Sequence, residues 1–277
     1  MFSLVLLFAV SAQPLLEGNP IDKARSVLQD GLADKSSDKR VHAVRALSVL
    51  IGDAKAKTMA ESALADDNAD VRLQAAVTLG ELKDTAAVPK LKKALKDKEI
   101  KVVVAAANAL YVLKDPAAYQ VYYSLLTGGR KSSDGLVQSQ LDTLKDRKQI
   151  EKIAFETGIG FLPFGGMGWE AWKAITQDDA SPVKAAAAEK LATDPDPKSA
   201  RALVDATSDK KWQVRAAAAN AIAKRGDRRL RGAVIPLLLD DNDAVRCQGA
   251  AAVLRLSDLP RRHAKRKPAP AVGSNSQ

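Results

Sequence analysis

Side chains that carry most enzyme chemistry are scarce in this chain of 277 residues: two histidines, His42 and His263, and one cysteine, Cys247. Two histidines so far apart offer no paired metal ligands, and neither lies near a nucleophile in sequence. One cysteine excludes an internal disulfide framework and a Cys-rich zinc site. Carboxylates are abundant, 33 in all, but most fall at helix caps or in Lys/Asp runs, so no general acid–base pair stands out. The sequence therefore points to no catalytic residue, no metal and no cofactor, and the expectation is a protein that is not an enzyme.

Residues suited to recognition are easier to find. After residue 12 the chain has ten aromatics, and nine lie between 111 and 172: Tyr111, Tyr119, Tyr122, Tyr123, Phe155, Phe161, Phe164, Trp169 and Trp172. Only Trp212 lies elsewhere. The same region contains an insertion, about 145–167, that opens on Lys145-Asp146-Arg147-Lys148. It leads into Gly158–Gly168, eleven residues with five glycines, one proline and no charge. Glycine frees the backbone, while Phe161, Leu162, Phe164 and Met167 supply adhesive apolar surface. Three readings stay open. The loop plugs the fold as a local core; or, with Trp169, Trp172, Tyr119, Tyr122 and Tyr123, it anchors a partner; or residues 158–172 dip into a membrane surface. A nucleotide loop is excluded, because no Gly-Lys-Ser/Thr follows.

The elements that must position these residues come from an internal repeat. Val71-Arg72-Leu73-Gln74-Ala75-Ala76-Val77-Thr78-Leu79 has the pattern of Val214–Ile222 and of Val245–Val253. Units led by Val41, Val102 and Val183 extend the series at spacings of about 30 residues, a helical-hairpin period. Leu136–Leu144 fills a degenerate fourth slot. Polar residues four before the leading valine, such as Ser37, Asp67, Asp179 and Asp241, are expected to cap the second helix of each unit. The first helix supplies bulkier residues such as Val88, Leu91 and Leu95. One hairpin cannot bury its apolar face, whereas stacked hairpins share a continuous core. With aromatics at only 4%, that core must be Ala, Leu and Val. The expected fold is all-α, an α-solenoid of about seven two-helix units.

The segments Asp66–Arg72, Asp178–Lys184 and Asp240–Arg246, each followed by an Ala-rich helix, resemble the short HEAT repeats of the phycobilisome-lyase type, over residues 21–258. The resemblance implies a right-handed solenoid. It also implies an Asp–Arg ladder between neighbouring units, giving Asp67, Arg72, Asp179, Lys184, Arg215, Asp241 and Arg246 a structural role. The basic residue is missing at Val103 and Val137, so the ladder should break mid-chain. Deoxyhypusine hydroxylases look similar in repeat length but bind di-iron through His-Glu pairs, and this chain has no His-Glu dipeptide. Bilin lyases are similar in fold and have no fixed metal motif; that reading requires a cytosolic protein in a pigment-bearing cell.

Residues 1–12 carry no charged side chain, and Leu4–Val10 is an apolar run ending in Val10-Ser11-Ala12. This is the form of a secretory signal peptide cut before Gln13, and places the solenoid at 13–258 in the periplasm or outside the cell. Residues 259–277, with Arg261-Arg262-His263-Ala264-Lys265-Arg266-Lys267, read as a basic disordered tail. The formal charge of +10 suits anionic partners without choosing among them. The favoured reading is a non-catalytic, exported interaction scaffold whose partner is another protein. The alternative is a cytosolic nucleic-acid-binding solenoid similar to the HEAT-like alkylpurine glycosylases, alongside the bilin-lyase-like one.

Overall fold

The computed structural model describes residues 18–127 and 181–259. The sequence-expected signal segment, the insertion and the tail lie outside them. Everything described is helical. In chain order the helices are α1 (Pro20–Leu32), α2 (Ser37–Ala46), α3 (Ala54–Ala63), α4 (Ala69–Glu81), α5 (Val88–Ala94), α6 (Ile100–Val112) and α7 (Ala117–Thr127). Then follow α8 (Ser181–Leu191), α9 (Pro197–Ala206), α10 (Trp212–Arg225), α11 (Arg231–Val234) and α12 (Asp243–Asp258). They pair as hairpins α1/α2, α3/α4, α5/α6, α9/α10 and α11/α12.

Two of the second helices, α4 and α12, start on a side-chain cap, one residue later than the sequence suggests, whereas α2, α6 and α10 have no side-chain cap bond. Asn68 Oδ1 accepts from the amides of Asp70 and Val71, at 2.8 and 3.4 Å. Asn242 Oδ1 does the same for Ala244 and Val245, at 3.0 and 3.4 Å. Ser36, not Ser37, is the cap position of α2, and Asp179 lies outside the described residues. The displaced aspartates have another task, described below. The first helix of the last unit is also shorter than expected. Pro236 has no N–H and its ring crowds the carbonyl four residues back, so α11 is flanked by 3-10 turns at Arg228–Leu230 and Pro236–Leu239.

The two layers are buried unequally. The first helices bury a stripe only, Ala24 and Leu28 in α1 or Ala56 and Ala60 in α3. The second helices are enclosed on most sides: α6 buries Val102 to Ala107 without a break, and α12 buries Cys247 to Val253. Alanine makes this possible, since a methyl side chain lets helix axes approach. At Gly80 even a Cβ would lie 3.2 Å from Ala109 Cα of the next unit.

The order of stacking is not the order of the chain. Second helices follow one another as α2, α4 and α6, and as α8, α10 and α12, but α12 also packs on both α1 and α2. The last unit therefore docks on the first. Gly31 of α1 marks the close approach: a Cβ there would lie 3.0 Å from Ala43 Cβ and 3.5 Å from Cys247 Sγ. Across the same seam an Arg255 terminal nitrogen donates to the Ile51 carbonyl at 3.2 Å.

Candidate interaction surface

In α2, α4 and α10 an arginine just after the leading residue of the helix ties one unit to the next. Arg72 donates from Nε and a terminal nitrogen to both carboxylate oxygens of Asp97, at 2.7 and 2.9 Å. Its other terminal nitrogen donates to the Asp66 and Asp67 carbonyls, at 2.9 Å each. Arg215 repeats this with Asp240, at 2.7 and 2.8 Å, and with the Asp209 and Lys210 carbonyls. Arg40 does so with Asp66, at 2.8 Å twice, and Lys184 reaches Asp209 at 3.0 Å. The fork geometry matches a carboxylate two bonds at a time, which a lysine cannot do.

The bidentate acceptor is thus the first aspartate of each pair. Asp67 and Asp241, the residues singled out from sequence, take one bond each and their side chains are 91% and 94% exposed. Asp66 and Asp240 are better placed because each also accepts the amide two residues on, at 2.9 Å, which folds the carboxylate back under the turn. Arg246 keeps the bond to its own loop, at Asp240 O, but pairs with Asp243 within its own helix. The ladder therefore does not cross the seam onto Asp34, whose partner there is Lys39 at 3.1 Å. At α6 the basic residue is replaced by buried Val103, which packs with Ile100, Val104, Ala107 and Val121. These bonds tie neighbouring units together.

The surface suited to recognition lies at the α6–α7 hairpin. Tyr119, Tyr122 and Tyr123, singled out in sequence, lie together on α7, and the first two pack on Tyr111 of α6. The rings of Tyr111 and Tyr119 meet edge to face at 6.2 Å and 86°, and those of Tyr111 and Tyr122 at 6.2 Å and 77°. Such edge-to-face pairs align ring quadrupoles and stiffen the group. Tyr122 is half-buried and donates its hydroxyl to Asn108 Oδ1 at 2.8 Å. Burial first, and then the neighbouring Tyr111, raise its pKa above the usual phenol value. The outer members face solvent: Tyr111 is 54%, Tyr119 60% and Tyr123 49% exposed, and Val112 beside them 51%. The sequence reading left Tyr111 off this surface, although i, i+8 and i, i+11 spacing from it to Tyr119 and Tyr122 across one hairpin was a usable signal. Phe161, Leu162, Phe164, Met167, Trp169 and Trp172 lie outside the described residues.

A second surface was not singled out from sequence. Where the last unit meets the first, Ser48, Val49, Ile51, Glu81, Ala223, Lys224 and Arg255 line a depression of about 230 Å³. Among the described residues no three His, Cys, Asp or Glu side chains come together as metal ligands. No described helix is long and apolar enough to cross a membrane.

A family model of HEAT repeats matches residues 58–140 and 170–255. No curated protein matches. Among solved structures the chain is similar to human deoxyhypusine hydroxylase in complex with glycerol, at 16% identity, a TM-score of 0.30 and 84% coverage of each chain.

Proposed function

The chain belongs to the HEAT-repeat family, and from that premise we propose that it is a non-catalytic scaffold whose tyrosine face on α6 and α7 captures a partner protein. The observation that carries this is the joint exposure of Tyr111, Tyr119, Tyr123 and Val112, where the described residues hold just two further Phe, Trp or Tyr side chains, Tyr122 and Trp212. Tyrosine is among the side chains most often found at the centre of binding interfaces, because a rigid ring buries much area for little lost entropy. The Ala-rich helices beneath give it a firm base. Further along, the chain carries Phe161, Leu162, Phe164, Met167, Trp169 and Trp172, and in this reading they too serve recognition.

In this reading the scaffold is exported. Support comes from the uncharged start with its Leu4–Val10 run and Val10-Ser11-Ala12, which has the form of a cleavable signal. Export is checked by fractionating cells that express the full chain and reading the mature N-terminus by mass spectrometry: Gln13 is expected.

The binding role is tested with Tyr119→Ser/Tyr123→Ser and, separately, Phe161→Ser/Phe164→Ser. Partners of the tagged wild-type chain are cross-linked in cells and identified, then each is re-tested as a purified protein. Unchanged melting with loss of the purified partner is the expected result. A melting temperature lowered by several degrees with binding intact would show instead that these rings serve the protein's own core. Flotation of the intact chain with liposomes would redirect the search to a membrane surface.

A further inference from the structure

The seam between last and first units builds a groove. The three helices α2, α12 and α10 lie side by side with α12 in the middle, and their C-terminal ends line one depression through Val49, Arg255 and Lys224. Near their N-terminal ends, the rings of His42 on α2 and Trp212 on α10 come within 6.5 Å across α12. The outer helices thus flank the middle one between the ring contact and the depression, over about 10 Å along the α2 segment and about 18 Å along α10 at the helical rise.

Helical spacing extends the lining. His42 and Arg45 share a face of α2 that the following 3-10 turn, Leu47–Val49, continues to Val49, and Gln248 lies two turns before Arg255 on α12. Gln248 is only 7% exposed, and its Oε1 has no hydrogen-bond partner among the described residues. The same holds for His42 Nδ1, and for Asn220 Oδ1 one turn from Lys224. Buried polar atoms in proteins are rarely left so, and these three call for water or a bound polar group along the strip, although the Asn220 amide nitrogen already donates to Glu189.

The charges in the strip are uneven. Every arginine of the ladder is matched by an aspartate, whereas Arg45 and Arg255 have no carboxylate within ion-pair distance among the described residues. Arg45 Nε donates to Gln74 Oε1 at 3.1 Å, and Arg255 donates to a carbonyl. Lys224 is paired with Glu189 at 2.9 Å, and Glu81 lines the cavity as the other acidic group. Burial pulls the Arg45 pKa down, against the opposing pull of Glu81, so its charge is held in a poorly solvated place. A guanidinium there gains from a carboxylate that brings two acceptors in one plane. Gln248 can turn its amide to donate as readily as to accept.

We propose that this groove binds an acidic peptide segment of a partner protein, with carboxylates on Arg45 and Arg255 and an apolar side chain beside Trp212. Charge selects the occupant: a basic segment would meet two unpaired guanidiniums, and a purely apolar one would leave the polar strip unmatched. The groove requires the scaffold but not the tyrosine face, so the two proposals fail independently.

The test uses the full chain and a fluorescent decaglutamate peptide bearing one leucine and a benzophenone, with decalysine as the control. Anisotropy is read at low salt, because such contacts weaken as salt rises. Arg45→Gln and Arg255→Gln are each expected to weaken binding about fivefold or more, as loss of a charge-assisted contact does. Lys55→Gln, an exposed charge on α3, should change it by less than about twofold, since a screened distant charge contributes little. The photo-cross-link should map to the peptides holding His42–Arg45 or Trp212. The proposal is overturned if no probe binds, if Lys55→Gln costs as much as Arg255→Gln, if decalysine binds equally, or if cross-links map only to Arg261–Lys267. Should Arg45→Gln fail to fold, Arg255→Gln decides alone, since that side chain lies at the open end of the groove.

Discussion

Replacing Arg72 by Met removes the four hydrogen bonds of one ladder rung while keeping most of the aliphatic stem. The rung is enclosed: the Arg72 and Asp97 side chains are 9% and 13% exposed. Removing one partner strands the other charge in a poorly solvated place, which costs about 3–5 kcal/mol where burial is complete. Met retains the packing of the stem, and the Asp66 and Asp67 carbonyls can turn to water, so about 3 kcal/mol is expected, the low end of that range. For a domain of this size that is about 6–12 °C in melting temperature. Urea denaturation gives the same quantity without heating. In a cycle with Asp97→Leu, the double variant should be less destabilised than the two singles together, by about 1.5–3 kcal/mol. The exposed pair Lys101–Asp70, with Asp70 55% exposed, is the internal contrast: Lys101→Met should cost under about 1 kcal/mol. Acid provides a further check. Burial pushes the Asp97 carboxyl up, but bonds from Arg72 and the Glu99 amide outweigh it and hold it below its ordinary value. A depressed carboxyl stabilises the fold above its unfolded pKa, about 3.9, and that stabilisation disappears as pH falls through the folded value. The Arg72→Met chain should therefore lose less stability than wild type on going from neutral pH to about 3, within the range of that titration. Additive single-variant costs, or a loss no larger than that of Lys101→Met, would refute the view that these rungs hold the units together.

Three other expectations are readily measured. At Gly249 a Cβ would lie 2.6 Å from Leu237 Cβ, so Gly249→Ala should cost about 1–3 kcal/mol by overpacking. Gly232 has nothing within 4 Å, and Gly232→Ala should be neutral or gain up to about 1 kcal/mol of helix propensity; urea midpoints separate the two. Cys247, the chain's one cysteine, is buried against the seam, and desolvation pushes its thiol to about 11 despite nearby Arg246. It should resist iodoacetamide at neutral pH in the folded chain and react in urea, as intact-mass spectra would show. Burial first, and then Arg45, lower the His42 pKa below 6.5. The unfolded chain therefore binds the proton more readily, and stability should fall as pH drops through about 6.5. His42→Gln should flatten that slope in urea titrations at successive pH values.

The periodic features were legible because they depend on local chemistry. Val71-Arg72 with alanines behind it states a helix, its buried face and its basic rung in one stretch. Aligning the first unit on Val41 obscured the rest. The structure makes Arg40 the equivalent of Arg72, so the leading position of α2 is Lys39, two residues earlier. In that register His42, Gln74 and Gln248 fall two residues after the rung arginine, and Glu81, Lys224 and Arg255 nine after it. A row of polar side chains on one helical face, repeated from unit to unit, was therefore present in the sequence. A two-residue slip moves His42 and Arg45 round the helix by more than half a turn, and the row disappears.

The docking of the last unit on the first is harder to read, for a physical reason. The close approaches at unit boundaries here use small residues, alanine, glycine and cysteine, so the edge of one unit is a fair partner for that of another. Gly31 against Cys247 at the seam and Gly80 against Ala109 within the regular stack are the same device. Solenoid ends normally carry a polar outer face, because nothing covers them. That α12 has no such face is the one trace of the seam that local pattern retains: ten of its sixteen residues are buried, including an unbroken run from Cys247 to Val253. A helix that apolar on nearly all sides must have neighbours on nearly all sides. Chain order supplies them only through α10 and α11, and the remaining side has to be covered by helices from elsewhere in the chain. The same enclosure creates the groove, since covering α12 from both flanks leaves one narrow strip of it between α2 and α10, from the nearly buried Gln248 to Arg255.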